Sequence, residues 1–202
     1  MKNFSFPTAV LLLGIISNFY ACSAKEEGRQ KTETTKSVDA ATSVLTSVER
    51  GVYLVGILGC NDCHSPKIMT AQGPVSDPTR LLSGHPAGDK LAPFPNPKTV
   101  YSGDWALFTP DLTVGVGPWG INYAANLTPD ETGLGNWTYD QFKRALTQGK
   151  SKGLETGRIL LPPMPWQNYV NMKDEDVQAV YNYLKSIPAV SNLVPAPTPP
   201  VK

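Results

Sequence analysis

Apolar side chains first gather in a run from Ala9 to Ile16, preceded by Lys2 and followed by a polar stretch from Lys25 to Thr42. The run is too short to span a bilayer comfortably, and with its basic start residues 1–21 have the form of an export signal. The polar stretch has almost no large apolar group to offset the entropy of ordering, so residues 22–42 are expected to be a flexible tether. From Ser43 the pattern turns periodic. Val44, Val48, Val52 and Val55 recur at spacings of four, four and three, the repeat of one helical face. Gly51 and Gly56 lower the helix propensity of this segment, which suits a place where another backbone packs closely.

Residues 65–120 hold nine Pro and seven Gly, and neither a 3.6-residue nor a two-residue period is sustained there. Leu81, Leu82, Leu91, Phe94, Tyr101, Trp105, Leu107, Phe108 and Trp119 are too many large apolar groups for a disordered linker, so this stretch is expected to be a long ordered insertion. Helical signals return at Thr138 and Gln141, which form a capping box, with Trp137 and Phe142 placed as a hydrophobic staple. Phe142, Ala145 and Leu146 share one face, and Gly149 ends the helix. A last helix starts near Asp174, where Glu175 and Asp176 add favourable charge. Val177, Val180, Tyr181 and Leu184 form its apolar face before Pro188. The domain is therefore placed at residues 43–188, and residues 189–202 read as an extended, partly mobile Pro-rich tail.

Charge adds little to this picture. The whole chain carries a formal +1, and loss of residues 1–21 removes one Lys, leaving 17 basic against 17 acidic side chains. Such balance gives no reason to expect nucleic acid as a partner. The export segment ends in Phe19-Tyr20-Ala21-Cys22, which resembles a bacterial lipobox with a bulky Phe and Tyr in place of its usual residues. Lipidation of Cys22 is the favoured outcome, with cleavage beyond it to release a soluble protein and an uncleaved anchor as the alternatives.

The chemistry is concentrated at Cys60-Asn61-Asp62-Cys63-His64. Two thiols at this spacing can add across the two vinyl groups of one porphyrin, and the following imidazole supplies an axial nitrogen, the attachment signature of a c-type haem. Zinc would need four ligands, and only His85 and Cys22 remain to supply a fourth. A thioredoxin-type pair would need a strand-helix-strand setting, which the pattern lacks.

His64 leaves a second axial position to fill. Met69 lies five residues on, a reach of roughly 17 Å at full extension, too little chain to round a porphyrin rim. Met164 stands in Leu161-Pro162-Pro163-Met164-Pro165-Trp166, where three prolines hold the backbone stiff and extended around one thioether. Met172 has the reach but no such setting, and His85 reads as a surface loop histidine. Met164 is thus the favoured second ligand to the iron. Trp166 and Tyr169 are placed to pack around its loop, and Asn126, Thr128 and Arg158 are candidate partners of the haem propionates.

Four landmarks in order, Gly59–His64, Asn126-Leu127-Thr128-Pro129-Asp130, Gly135-Asn136-Trp137, and Pro162–Trp166 with Tyr169 and Asp174–Asp176, resemble the class I cytochrome c family. The likeness is closer to exported or membrane-attached bacterial cytochromes, including dehydrogenase cytochrome subunits, and spans about residues 46–188. It implies an all-α cytochrome c fold with crossed first and last helices, an irregular insertion around the haem, and His64 and Met164 on opposite haem faces. A single C-x-x-C-H implies one haem, covalently attached through Cys60 and Cys63. The function implied is one-electron transfer, not catalysis, in the periplasm or outer cell envelope, with a dehydrogenase, an oxidase or another cytochrome as redox partner. A haem enzyme or gas sensor with an open or labile sixth position is the alternative, and a subunit of a larger dehydrogenase or oxidase complex is a third reading.

Overall fold

The computed structural model describes residues 47–93 and 96–200. The expected signal at 1–21, the tether at 22–42 with Cys22, and the positions of Val44 and Phe94 lie outside them.

Helix α1 (Ser47–Ile57) packs across the last helix, α5 (Asp174–Ser186), through Gly51. A Cβ at Gly51 would overlap the Ala179 carbonyl oxygen and lie 2.5 Å from Tyr183 Cβ, so only glycine allows this approach. Gly56 has open space where its Cβ would stand, so the close packing expected at both glycines exists at one. This contact also sets the rotation of α1. Gly51, Leu54 and Val55 face inward, whereas Val48 and Val52, expected on the buried face, are 38% and 52% exposed. Arg50 Nε donates to Asp176 Oδ1 at 2.7 Å and ties the same two helices at their rim.

Helix α2 (Cys60–His64) follows at once, and two further helices are α3 (Pro97–Tyr101) and α4 (Tyr139–Gln148). The capping box of α4 is complete: Gln141 N donates to Thr138 Oγ1 at 3.2 Å, and Thr138 N to Gln141 Oε1 at 2.9 Å. Gly149 closes α4 in the left-handed conformation, φ 65°. Phe142 and the α5 residues Val177, Val180 and Leu184 are buried together with Leu54, Val55, Leu82 and Leu134 in the main core. Tyr181 is only half-buried because its hydroxyl reaches out to the Trp137 carbonyl, 2.8 Å away.

The all-α expectation needs correcting, because the insertion contains two small antiparallel sheets. One pairs β1 (Lys67–Thr70) with β2 (Gly73–Ser76), and the other has the order β3 (Leu107–Phe108), β4 (Val114–Gly117), β5 (Gly120–Tyr123). These strands are two to four residues long, too short to establish a two-residue period in the sequence. Val114 and Val116 of β4 join Val100 in a second core of their own. Burial of the insertion's large side chains is uneven. Leu82 is fully buried, but Trp105 is 65% and Phe108 47% exposed, and Leu81 and Leu107 are also exposed.

The Pro-rich C-terminal segment is hydrogen-bonded to the domain as far as Thr198. Thr198 exchanges two backbone hydrogen bonds with Ile121 of β5, at 2.8 and 2.9 Å. The Asn192 side chain donates to the Ser83 and His85 carbonyls and accepts from Ala87 N, so it replaces missing backbone partners for the 83–87 loop.

Candidate functional site

Gly59, in the left-handed region at φ 68°, turns the chain from α1 into α2 and so sets the direction of the Cys60–His64 turn. Three positions apart on a helix, Cys60 and Cys63 lie on the same side. Both are free thiols, half-buried. Burial pushes the Cys60 thiol up to about 11 and raises Cys63 as well, the opposite of the depressed values that make a redox-active pair. Among the described residues no group of three His, Cys, Asp or Glu side chains is arranged to hold a metal ion, so the zinc alternative lacks its ligand set there.

His64 Nδ1 stands 2.7 Å from the Ala125 carbonyl oxygen. A carbonyl only accepts, so Nδ1 carries the proton and the Nε2 lone pair is left for a metal, the usual arrangement of a ligating histidine. Burial lowers the His64 pKa and favours this neutral form. Thiols on one side of a short helix and an imidazole with its tautomer fixed form a donor set that fits a covalently attached haem.

Residues around α2 hold it in place. Ser65, fully buried, donates from Oγ to Asn61 Oδ1 at 2.8 Å and accepts from Leu82 N at 2.8 Å. Gly84 N donates to the His64 carbonyl at 2.8 Å. Lys67 Nζ donates to the carbonyls of Asn61 at 2.8 Å, Asp62 at 3.1 Å, and Ser65.

The Met164 loop is held from two other sides. Asn122 Nδ2 of β5 donates to the Leu161 and Pro162 carbonyls at 3.2 and 3.0 Å. Pro163 lies against Gly115 of β4, where a Cβ would come within 2.9 Å of the ring. The Trp166 indole covers Gly149 at the end of α4 in the same way. Met164 itself is half-buried. The chain then makes a 3-10 turn, Trp166–Tyr169, that buries Tyr169 and brings its hydroxyl 3.2 Å from the Leu58 carbonyl, two residues before Cys60. Burial raises the Tyr169 pKa, with Cys60 and Cys63 adding to the effect, so the Met-loop segment and the Cys-Cys-His turn share one neighbourhood. Met172 packs against the main core, and Met69 is 64% exposed on β1.

His85 is not the surface histidine expected, being 3% exposed. Its Nδ1 lies 2.8 Å from Thr113 Oγ1, which in turn donates to Asp111 Oδ2 at 2.8 Å. The hydroxyl proton is spent on Asp111, so His85 Nδ1 is the donor to Thr113. The backbone N of His85 donates to the Ala124 carbonyl, beside the Ala125 carbonyl that binds His64. His85 is thereby held at its backbone by Ala124 and at its ring by Thr113, one residue from the carbonyl that orients His64.

The three polar candidates divide. Asn126 and Thr128 are buried, and their polar groups are engaged by the protein itself. Asn126 Oδ1 accepts from Thr128 N and Oγ1, while its Nδ2 donates to Thr132 Oγ1 and to the Val190 carbonyl of the C-terminal segment. Arg158 is exposed, with Nη1 on the Ile159 carbonyl. With Trp119, Leu161 and residues 197–200 it lines a cavity of about 250 Å³. Among the described residues the buried Trp119 indole N–H has no hydrogen-bond partner. Ser65, Lys67, Asn122 and Ala125 carry no signal in the sequence. Ala125 acts through its backbone, and the others become visible only once the loops are folded against each other.

No family model matches the chain. Individual relatives do. Over 137 residues the chain is 31% identical to the gluconate 2-dehydrogenase cytochrome c subunit of Pantoea cypripedii, covering 67% of this chain and 22% of that protein. It is 37% identical over 137 residues to the cytochrome c subunit of the quinone-dependent alcohol dehydrogenase of Gluconobacter oxydans, covering 67% and 20%. Over 68 residues it is 41% identical to the fructose dehydrogenase cytochrome subunit of Gluconobacter japonicus, 33% of this chain and 13% of that protein. The chain thus spans less than a quarter of the length of these relatives.

Proposed function

Because this chain is a homologue of cytochrome c subunits of dehydrogenases, we propose that it is an exported monohaem c-type cytochrome that carries one electron at a time from a dehydrogenase to a further acceptor. Cys60 and Cys63 carry the thioether links, and His64 Nε2 and Met164 Sδ are the axial ligands, in a cytochrome c fold whose crossed end helices are α1 and α5. When bound, the iron supplies a one-electron couple between Fe(III) and Fe(II), and a thioether ligand favours the reduced state. The observation that carries this reading is the His64–Ala125 hydrogen bond, which leaves the ligating nitrogen free next to two unoxidised thiols.

The protein's part is preorganisation. Ala125 orients the imidazole and increases its donor strength. Asn122, Gly115 and Gly149 seat the stiff Met164 loop, so that little ordering entropy remains to be lost on ligation. Tyr169 and Leu58 hold the two segments together. Near-neutral overall charge favours docking on a partner through apolar contact more than through long-range steering. Cys22 is the proposed lipid attachment point that keeps the domain at the membrane surface of the cell envelope.

Production in a host that matures c-type cytochromes tests the proposal. The expected product has one haem that survives denaturation, accepts one electron reversibly, and binds carbon monoxide poorly when reduced. Rapid carbon monoxide binding would favour the open-site alternative, and absence of covalent haem would remove both.

A further inference from the structure

The Lys67 side chain caps the haem-attachment turn. Its Nζ donates to three backbone carbonyls, those of Asn61, Asp62 and Ser65. Carbonyl oxygens only accept, so three such bonds use all three protons of an ammonium group, although burial lowers the Lys67 pKa from its ordinary value. Asn61 and Asp62 lie within α2, and their carbonyls belong to the last turn of a short helix, where no following turn is available to bond them. The residue is gripped at its backbone as well. Lys67 opens β1 opposite Ser76, and the preceding Pro66 carbonyl accepts from Asp77 N at 2.8 Å.

A half-buried ammonium fixed at both ends is a localised positive charge within electrostatic reach of Cys63 and His64, unlike the mobile lysines of an open surface. Asp62 and Asp111 are the acidic groups that act on it, yet no carboxylate oxygen is among its hydrogen-bond partners. Its charge is therefore only partly offset. We propose that Lys67 is a positioning residue with two effects: it locks the Cys60–His64 turn by capping its carbonyls, and its charge raises the reduction potential of the haem by opposing formation of Fe(III). This rests on the haem reading of the site.

The test is equilibrium redox titration of the full chain with haem attached, comparing wild type, Lys67→Gln, Lys67→Arg and, as a surface control, Lys98→Gln. Removing one fixed charge at an effective dielectric near 20 should lower the reduction equilibrium constant about tenfold, which is ~59 mV for one electron. Lys67→Arg, which keeps the charge, should restore most of that difference, and Lys98→Gln should leave the potential near that of wild type. The Lys67→Gln shift should persist at 1 M salt, since a half-buried charge is screened less than an exposed one. A wild-type potential in Lys67→Gln, or equal shifts in Lys67→Gln and Lys67→Arg, would overturn the role of the charge. In that case the haem content and visible spectrum of Lys67→Gln remain those of wild type and the haem reading stands. A wild type that takes up no covalent haem would overturn both.

Discussion

Substituting Gly51 by Ala adds one methyl group at the tightest point between α1 and α5. In a freely solvated helix the change would be stabilising by about 1 kcal/mol, because alanine loses less backbone entropy than glycine. Here the new Cβ falls on the Ala179 carbonyl oxygen and 2.5 Å from Tyr183 Cβ, and both are rigid neighbours. The helices must separate or α1 must turn. Overpacking of this kind costs about 1–3 kcal/mol, occasionally more, so a net loss of up to ~2 kcal/mol is expected after the helix gain is offset. Gly56, in the same helix with open space at its Cβ position, is the internal control: Gly56→Ala should keep the helix gain of about 0.5–1 kcal/mol. Urea unfolding of the haem-loaded protein, followed by circular dichroism, reads both. The midpoints should move in opposite directions. If Gly51→Ala is as stable as Gly56→Ala, α1 and α5 do not cross as described.

Three further results are expected. Asp77 accepts from Thr79 N, Thr79 Oγ1 and Arg80 Nε, and these bonds hold its carboxyl down at about 2. A depressed carboxyl stabilises the folded state above its unfolded value, so this contribution should be full above about pH 4 and fade as pH falls toward 2. Asp77→Asn should accordingly be less stable than wild type at pH 7, the difference shrinking as pH falls through about 2 and vanishing below it, as read from urea midpoints. Asn192→Ala leaves two carbonyls and one N–H of the 83–87 loop without their partner and should cost about 1–3 kcal/mol by the same assay, together with faster amide exchange at Ala87. Thr113→Val removes the hydroxyl between His85 and Asp111, leaving the buried His85 and the half-buried Asp111 each short of a bond. A loss of about 1–3 kcal/mol is expected, and an unchanged midpoint would deny the relay a structural role.

What the sequence disclosed and what it hid follow from range. The capping box at Thr138, the stop at Gly149 and the α5 face from Val177 to Leu184 depend on neighbours within a few positions, and they stand as read. The Cys60–His64 motif was legible for the same reason. Val48 and Val52 share the apolar repeat of α1 yet stand exposed, because the rotation of that helix is decided by a glycine contact more than a hundred residues away in sequence. The small sheets were hidden because strands of two to four residues carry too few alternations to register. His85 reads as a loop residue, yet its burial depends on Thr113, Ala124 and Asn192, which only the folded insertion brings together. Asn126 and Thr128 looked free for the propionates because nothing local reveals that the C-terminal segment returns to engage them.

The central claim is that His64 and Met164 close the iron between them. The absorption spectrum of the oxidised, haem-loaded protein tests it most directly, through the weak far-red band that a methionine–Fe(III) bond produces. The band is expected in wild type and absent in Met164→Ala, with the Met172→Leu variant retaining it. A wild-type spectrum without the band, or a band that survives Met164→Ala, would contradict the assignment.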